Sequence, residues 1–200
     1  MILCFVGVSG LAQKQLERTI DASSISLLQI DATNCFEVQI ETGSTDEIVV
    51  AAQLEGEYAK DLTLEVYENG STLIINAGFR KTFVNPNDKL SAHKVVSIAL
   101  HVFLPRWKKV LVYGTNARVL VEGDYKDLNI VLADGNCDLT EVSQNVTVKT
   151  QSGNITMRAN DGNIEASSKY GQVSEIVLPK GFNHYNLSTV TGNIELKKPE

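Results

Sequence analysis

The chain has 200 residues, of which 43% are hydrophobic, and a formal net charge of -6 at pH 7. This length and apolar fraction suit one domain with a sizeable core. The acidic balance, without any long cluster of lysine or arginine, argues against nucleic acid as a partner, because phosphate binding needs a positive surface.

The first twelve residues are uncharged and apolar, and they precede the polar run Gln13-Lys14-Gln15. Small residues at Gly10 and Ala12 match the site that a signal peptidase cuts. We therefore predict a signal peptide over residues 1–12, with a truncated n-region, and a single mature domain over residues 13–200. The alternative is a buried N-terminal strand. The apolar run is too short to span a bilayer, so the prediction is export without an anchor, to the periplasm, the cell surface or the medium.

The two cysteines of the predicted mature chain, Cys35 and Cys137, could pair in an oxidising compartment. However, Cys137 occupies the inward place that Ile155 and Ile194 take in related phrases, whereas Cys35 lies on the polar phase of its strand. We therefore expect a buried thiol at Cys137 and a surface thiol at Cys35 rather than a disulfide.

The first half of the chain, residues 25–104, shows long alternating strands. Ile48, Val50, Ala52 and Leu54 occupy alternate positions of one apolar run, and Asn69-Gly70 is a strong signal for a tight hairpin. This half is predicted to pair partly antiparallel and to cap the open end of the second half, since an uncovered end would expose an unpaired edge.

Two segments are the candidate binding sites. Residues 78–94 form the longest stretch without strand periodicity, and they contain Phe79, Arg80 and Phe83; a second cluster consists of Arg106 and Trp107. Exposed aromatic and cationic groups suit stacking on sugars or contact with anionic polymers. The alternative is that Trp107 packs over a corner of the fold and that the cations are simply solvated.

A glycine-led phrase recurs through the second half, residues 105–200. Its glycines lie at positions 114, 135, 153, 171 and 192, in steps of 21, 18, 18 and 21 residues. Such steps are typical of one coil of a parallel β-solenoid, because they are too short for a βαβ unit and too long for a lone hairpin. The alternative is that each Gly-Asn pair marks an ordinary hairpin turn of a β-sandwich.

The corner phrases also predict contacts between coils. Glycine suits a corner that needs positive φ or a backbone without a Cβ in the way of its neighbour. The next residues, Asn136, Asn154, Gln172 and Asn193, are expected to stack and to hydrogen-bond from coil to coil. Cys137, Ile155 and Ile194 should then point into one shared core.

No motif for catalysis or metal binding stands out. His93, His101 and His184 lack ligand spacing, and neither a metal nor a cofactor is predicted. The carboxylate pairs that could serve a hydrolase or a lyase are Asp124 with Asp127 and Asp138 with Glu141. Nothing in the sequence distinguishes them from ordinary surface charges, so no catalytic residue is assigned.

The strand ending in Val102-Phe103-Leu104-Pro105 and the phrases at residues 134–137, 152–155, 161–164 and 191–194 resemble the putative-adhesin domains of bacterial envelopes. The resemblance covers nearly the whole predicted mature chain, although Cys137 and Gln172 depart from the phrase. It implies a right-handed parallel β-helix in an exported protein without a catalytic motif.

The expected function is thus non-enzymatic surface interaction or envelope structure. The partner would be a surface glycan, an envelope protein or a host protein. The alternative is a carbohydrate-active enzyme, a polysaccharide lyase or hydrolase, on a β-helix. The oligomeric state stays open.

Overall fold

The computed structural model describes residues 14–83, 96–174 and 176–199, which form a 14-stranded sheet. The predicted signal peptide and the remainder of the candidate loop, residues 84–94, lie outside these ranges. The elements are β1 (Lys14–Asp21), β2 (Leu27–Asp31), β3 (Glu37–Gly43), β4 (Glu47–Gly56), a 3₁₀ turn (Ala59–Asp61), β5 (Leu62–Asn69), β6 (Thr72–Phe79), β7 (Val96–Pro105), β8 (Lys109–Gly114), β9 (Arg118–Leu132), β10 (Cys137–Lys149), β11 (Ile155–Arg158), β12 (Asn163–Ser168), β13 (His184–Thr189) and β14 (Ile194–Lys197).

The strands have apolar residues at alternate positions, and these residues face the core, as the sequence predicts. In β4 every second residue from Ile48 to Leu54 is buried, and the residues between them remain at least partly exposed. The predicted hairpin is confirmed, because β5 and β6 pair antiparallel with Asn69 opposite Thr72, and Gly70 adopts a φ of +61°.

Two long strands, β9 and β10, bend and connect the two sides of the sheet. The first part of β9 pairs with β3 and its last part pairs with β8, so one strand serves both sides. The bend of β9 lies at Gly123, whose φ is +103°, and that of β10 contains Glu141 and Gln144, which also have positive φ. The result is a nearly closed sheet of mixed strands around the core.

The all-β prediction is confirmed, but the predicted right-handed parallel β-helix is wrong. In a β-helix each coil stacks on the coil before it. Here β13 pairs with β10 on one side and β12 on the other, and β14 pairs with β11. The C-terminal strands are therefore inserted between earlier ones.

The predicted N-terminal cap needs the same correction. Antiparallel pairs do occur there, between β1 and β4, β4 and β7, and β5 and β6. However, β2 lies between β6 and β8, and β3 lies between β7 and β9, all in parallel. The regular spacing of the glycines gives the number of residues in each repeat. It does not determine which strand pairs with the strands of that repeat.

One continuous hydrophobic core runs from Ala22 to Leu196. Cys137 lies beside Ile155, and Ile155 lies beside Ile194, in parallel register. All three side chains are buried, so the predicted shared core is confirmed. Cys35 is also buried, which corrects the expectation of a surface thiol, and both cysteines are free.

The glycines of the repeated phrase stack in one column because neighbouring backbones come too close for a Cβ. A Cβ at Gly153 would clash with the carbonyl oxygen of Gly135, one at Gly192 with that of Gly153, and one at Gly171 with that of Gly192. None of these glycines has positive φ. Close approach, and not φ, thus requires glycine at this corner.

The predicted ladder of amides beside this column is confirmed, with a detail that the sequence did not reveal. The side-chain oxygen of Asn136 accepts the backbone N–H of Asn154, that of Asn154 accepts the N–H of Asn193, and that of Asn193 accepts the N–H of Gln172, each at 2.8 Å. The order 136, 154, 193, 172 again places the C-terminal segment inside the stack.

Candidate functional site

The predicted binding residues fall into two clusters at opposite ends of the strands. Both β6 and β8 run parallel to β2, with Thr72 and Lys109 each opposite Leu27. Phe79 lies seven residues beyond Thr72, whereas Trp107 precedes Lys109. The two clusters are therefore separated by more than about 20 Å along the strands, and the fold does not bring them together.

The first cluster, here called the aromatic corner, consists of Tyr58, Phe79, Arg80 and Phe83. The rings of Phe79 and Phe83 are stacked, with centroids 4.3 Å apart and an interplanar angle of 17°. Tyr58 meets Phe83 edge-on at 5.4 Å. Phe79 is 41% exposed, and Arg80 is exposed beside it. The pair thus presents aromatic surface to solvent next to a cation.

Local backbone bonds hold this corner. The N–H of Arg80 donates to the carbonyl of Asp61 at 2.8 Å, which ties the end of β6 to the 3₁₀ turn. The N–H of Phe83 donates to the carbonyl of Arg80 at 2.9 Å, and this turn brings Phe83 back onto Phe79. Tyr58 immediately precedes the 3₁₀ turn, so the three rings come from two adjacent segments.

A small polar pocket of about 130 Å³ adjoins the aromatic corner. It is lined by Asn34, Thr63, Glu65, Asn76, Gly78, Phe79 and Lys81. Gly78 leaves room for it, since a Cβ there would lie 2.8 Å from the amide nitrogen of Asn34. The side-chain oxygen of Asn76 is buried and has no hydrogen-bond donor among residues 14–83, 96–174 and 176–199. A buried acceptor of this kind favours a ligand that donates a hydrogen bond.

Sequence reasoning missed the pocket residues that lie outside the segment 78–94, namely Asn34, Thr63, Glu65 and Asn76. Glu65 lies opposite Asn76 across the β5–β6 pair, and Asn76 lies opposite Asp31 across the β6–β2 pair. Asn34 follows β2 and comes from another part of the chain. No local motif connects these positions, so only the strand register could have brought them together.

The second cluster lies in the turn between β7 and β8. Trp107 is 52% exposed, has a φ of +68°, and donates its N–H to the carbonyl of Asp124 at 3.0 Å. Arg106 Nε lies 3.4 Å from Asp124 Oδ2. The guanidinium of Arg106 thus already has a carboxylate partner within the chain.

Three of the four carboxylates considered for catalysis have partners of their own. Asp124 accepts a hydrogen bond from Ser143, Asp127 pairs with Lys109 at 3.2 Å, and Asp138 pairs with Arg118 at 3.0 Å. The fourth, Glu141, lies in the bend of β10 with positive φ. The three aspartates are thus each engaged with a different neighbour, as ordinary surface carboxylates are.

In the part of the chain that the structure describes, no group of three His, Cys, Asp or Glu side chains is arranged to hold a metal ion. Over the same ranges, no helix is both long and apolar enough to cross a membrane.

The fold of this chain is similar to that of proteins of known structure. The chain matches no protein-family model and no curated protein sequence. The crystal structure of a putative cell adhesion protein from Clostridium sporogenes ATCC 15579 superposes with a TM-score of 0.67 at 14% identity, over 94% of this chain and 100% of that chain. The two chains share one fold.

A putative adhesin from Parabacteroides distasonis ATCC 8503 is more distant. It superposes with a TM-score of 0.48 at 12% identity, over 92% of this chain and 82% of that chain. At these identities the Clostridium likeness establishes the fold and does not extend to a ligand.

Proposed function

We propose that the protein is an exported, non-enzymatic interaction module whose aromatic corner and adjoining pocket bind a surface glycan. The observation that carries the proposal is the exposed ring of Phe79, which stacks on the partly buried Phe83 and lines a pocket that also contains amide and carboxylate groups. Aromatic faces stack on the apolar face of a sugar ring, and side-chain amides both donate to and accept from its hydroxyl groups.

The pocket suits a neutral, hydroxyl-rich group. Its volume of about 130 Å³ is about four times the volume of one water in the liquid, so it admits part of a sugar ring with a hydroxyl group. A ligand hydroxyl donating to the buried oxygen of Asn76 would satisfy an acceptor that otherwise costs stability. Glu65 and Asn34 offer a further acceptor and donor at the same place.

Two considerations outside the site agree with this role. Residues 1–12 predict export, which would place the corner where glycans occur. The Clostridium protein of the same fold is described as a putative cell adhesion protein. Both considerations concern location and interaction, and the assignment to a glycan depends on the aromatic corner and its adjoining pocket.

The test is binding of the 200-residue chain to a microarray of bacterial surface polysaccharides and host mucin-type glycans, followed by titration calorimetry with a saccharide that is bound. Replacing Phe79 and Phe83 together by alanine should weaken binding at least tenfold, because two stacking faces are lost. The matched control replaces Arg106 and Trp107 by alanine at the opposite end of the strands, and it should bind as the wild type does.

The proposal fails if the wild-type protein binds no glycan, or if only the Arg106 and Trp107 variant loses binding. Release of new reducing ends from a bound polysaccharide would instead establish the enzyme alternative.

A further inference from the structure

Five large apolar side chains between residues 170 and 190 are exposed around the last strands of the sheet. Tyr170 and Val190 follow the ends of β12 and β13, Phe182 precedes β13, and Ile176 and Val177 lie in the segment between the two strands. Val177 is 89% and Phe182 98% exposed. Apolar groups exposed in this number around one pair of strands indicate a surface that another molecule covers.

The sheet also has an open edge at this end. In the described part of the chain β12 pairs with β13 alone. The N–H of Asn163 donates to Asn183 and the N–H of Lys169 donates to Thr189, so the odd-numbered residues face β13. Strand alternation then directs the N–H and C=O groups of Ile164, Ala166 and Ser168 away from β13, toward the open side.

The core is accessible beside this edge. A groove of about 740 Å³ is lined by Ile164 and Ala166 of β12 and by Ile176, Val177 and Leu178 of the following segment. Ile164 and Ala166 pack against the core yet are only partly buried. Among the described residues, backbone groups without a strand partner and a partly covered apolar core thus lie at the same edge of the sheet, and this combination favours the addition of another strand.

We propose that the strand covering this edge is β12 of a second copy, paired antiparallel about a two-fold axis at Ser167. In that register Glu165 of each copy lies opposite Lys169 of the other, which is the first residue after β12. Opposite charges therefore face each other, and this pair occurs twice because of the symmetry.

The same register uses the free backbone groups. Ala166 of one copy lies opposite Ser168 of the other, and both residues direct their N–H and C=O groups toward the open side. The Lys169 ammonium already lies 4.9 Å from the Tyr170 ring, on the segment that meets the partner. The self-complementary charges favour a second copy over an unrelated peptide, which would have to supply both partners itself.

Disulfide trapping tests the register. Ser167→Cys, in a Cys4→Ser background that leaves only the buried Cys35 and Cys137, should form a covalent dimer on mild oxidation. A directly opposed pair without backbone hydrogen bonds has Cα atoms about 4.5 Å apart, which a disulfide spans. The matched control is Ser188→Cys, since Ser188 lies beside Ser167 on the interior strand β13 and should not crosslink.

Charge reversal tests the partner. In sedimentation velocity, Glu165→Lys and Lys169→Glu should each weaken dimerisation at least tenfold, and the double variant should restore it, because the reversed charges meet again. Ala166→Pro should also abolish the dimer, since it removes an edge N–H. Thermal unfolding of the Ala166→Pro variant shows whether it still folds. The charge variants change only exposed side chains, so their loss of dimer reports lost pairing and not lost folding.

A wild-type protein that stays monomeric at its highest soluble concentration overturns the proposal. This holds even if the β12 edge binds a strand from another protein. A dimer that resists both single charge reversals, or that crosslinks equally through Ser188→Cys, overturns it as well.

Discussion

The backbone N–H of Asn193 donates to the side-chain oxygen of Asn154 at 2.8 Å, although 39 residues separate them in sequence. The same separation relates Ile155 to Ile194 across the β11–β14 pair. The C-terminal phrase therefore stacks directly on the phrase at residues 152–155, and Gln172 lies on its other side. Ile194 also forms a parallel bridge with Val173, so the C-terminal phrase lies between two earlier segments of the chain.

The hydrogen bond between these residues gives the first prediction. Asn154→Ala should lower the free energy of unfolding by about 1 kcal/mol, because the N–H of Asn193 loses its acceptor. Asn154→Asp should retain most of the stability, since the carboxylate still accepts. Gln172→Ala at the end of the ladder is the control, because Gln172 contributes its backbone N–H. Urea unfolding measures all three; equal losses at positions 154 and 172 would contradict the ladder.

The second prediction concerns the glycine column. Gly153→Ala should cost about 3 kcal/mol, because the new Cβ meets the backbone carbonyl of Gly135, which cannot move without disturbing the stack. At Gly181 the nearest atom is the carboxylate of Asp161, a side chain that can rotate away. Gly181→Ala should therefore cost about 1 kcal/mol or less. Similar melting temperatures for the two variants would show that close approach does not select glycine.

The third prediction tests the shared core. Ile155→Asp should destabilise the protein by at least about 3 kcal/mol, because its carboxylate would lie buried among apolar side chains. The adjacent Thr156 lies on the outer face and is only partly buried, so Thr156→Asp is the matched control. Urea midpoints should separate the two variants clearly, and equal midpoints would refute the assigned orientation of β11.

The fourth prediction is a loss of stability at alkaline pH. Burial, with a further contribution from Asp31, raises the pKa of Cys35 from 9.0 to about 12. Between these values the unfolded thiol releases its proton while the folded thiol keeps it. The unfolded state then binds fewer protons, so the free energy of unfolding falls as pH rises, by up to about 1.4 kcal/mol per pH unit for this group.

Comparison of the wild type with Cys35→Ala checks this effect. Unfolding midpoints from about pH 8 to about pH 11 should fall more steeply for the wild type, because the variant lacks the group. Burial also raises the pKa of Cys137, and it raises the pKa of Tyr185 to about 12, so the Cys35→Ala variant should still lose stability with rising pH, but less steeply than the wild type. Parallel pH profiles would exclude Cys35 as a contributor.

Sequence reasoning identified three residues of the candidate site. Phe79, Arg80 and Phe83 stand out because large aromatics and cations gather in an otherwise acidic chain. Asn34 and Asn76 carry no such signal, since polar residues are ordinary in turns and on the outer face of a strand. They become part of a pocket only because β2 and β6 lie side by side. The same register separates Trp107 from the aromatic corner.

By itself the sequence determined the local structure: alternating strands, the Asn69-Gly70 hairpin, the glycine corners and the inward side chains of Ile155 and Ile194. These features depend on backbone sterics and on burial, which act within a few residues. Only the tertiary structure decided the order in which the strands stack. Any strand of matching length can satisfy the hydrogen bonds of its neighbour. The insertion of β2 and β3 between later strands, and of β13 between earlier ones, depends on packing around the whole core.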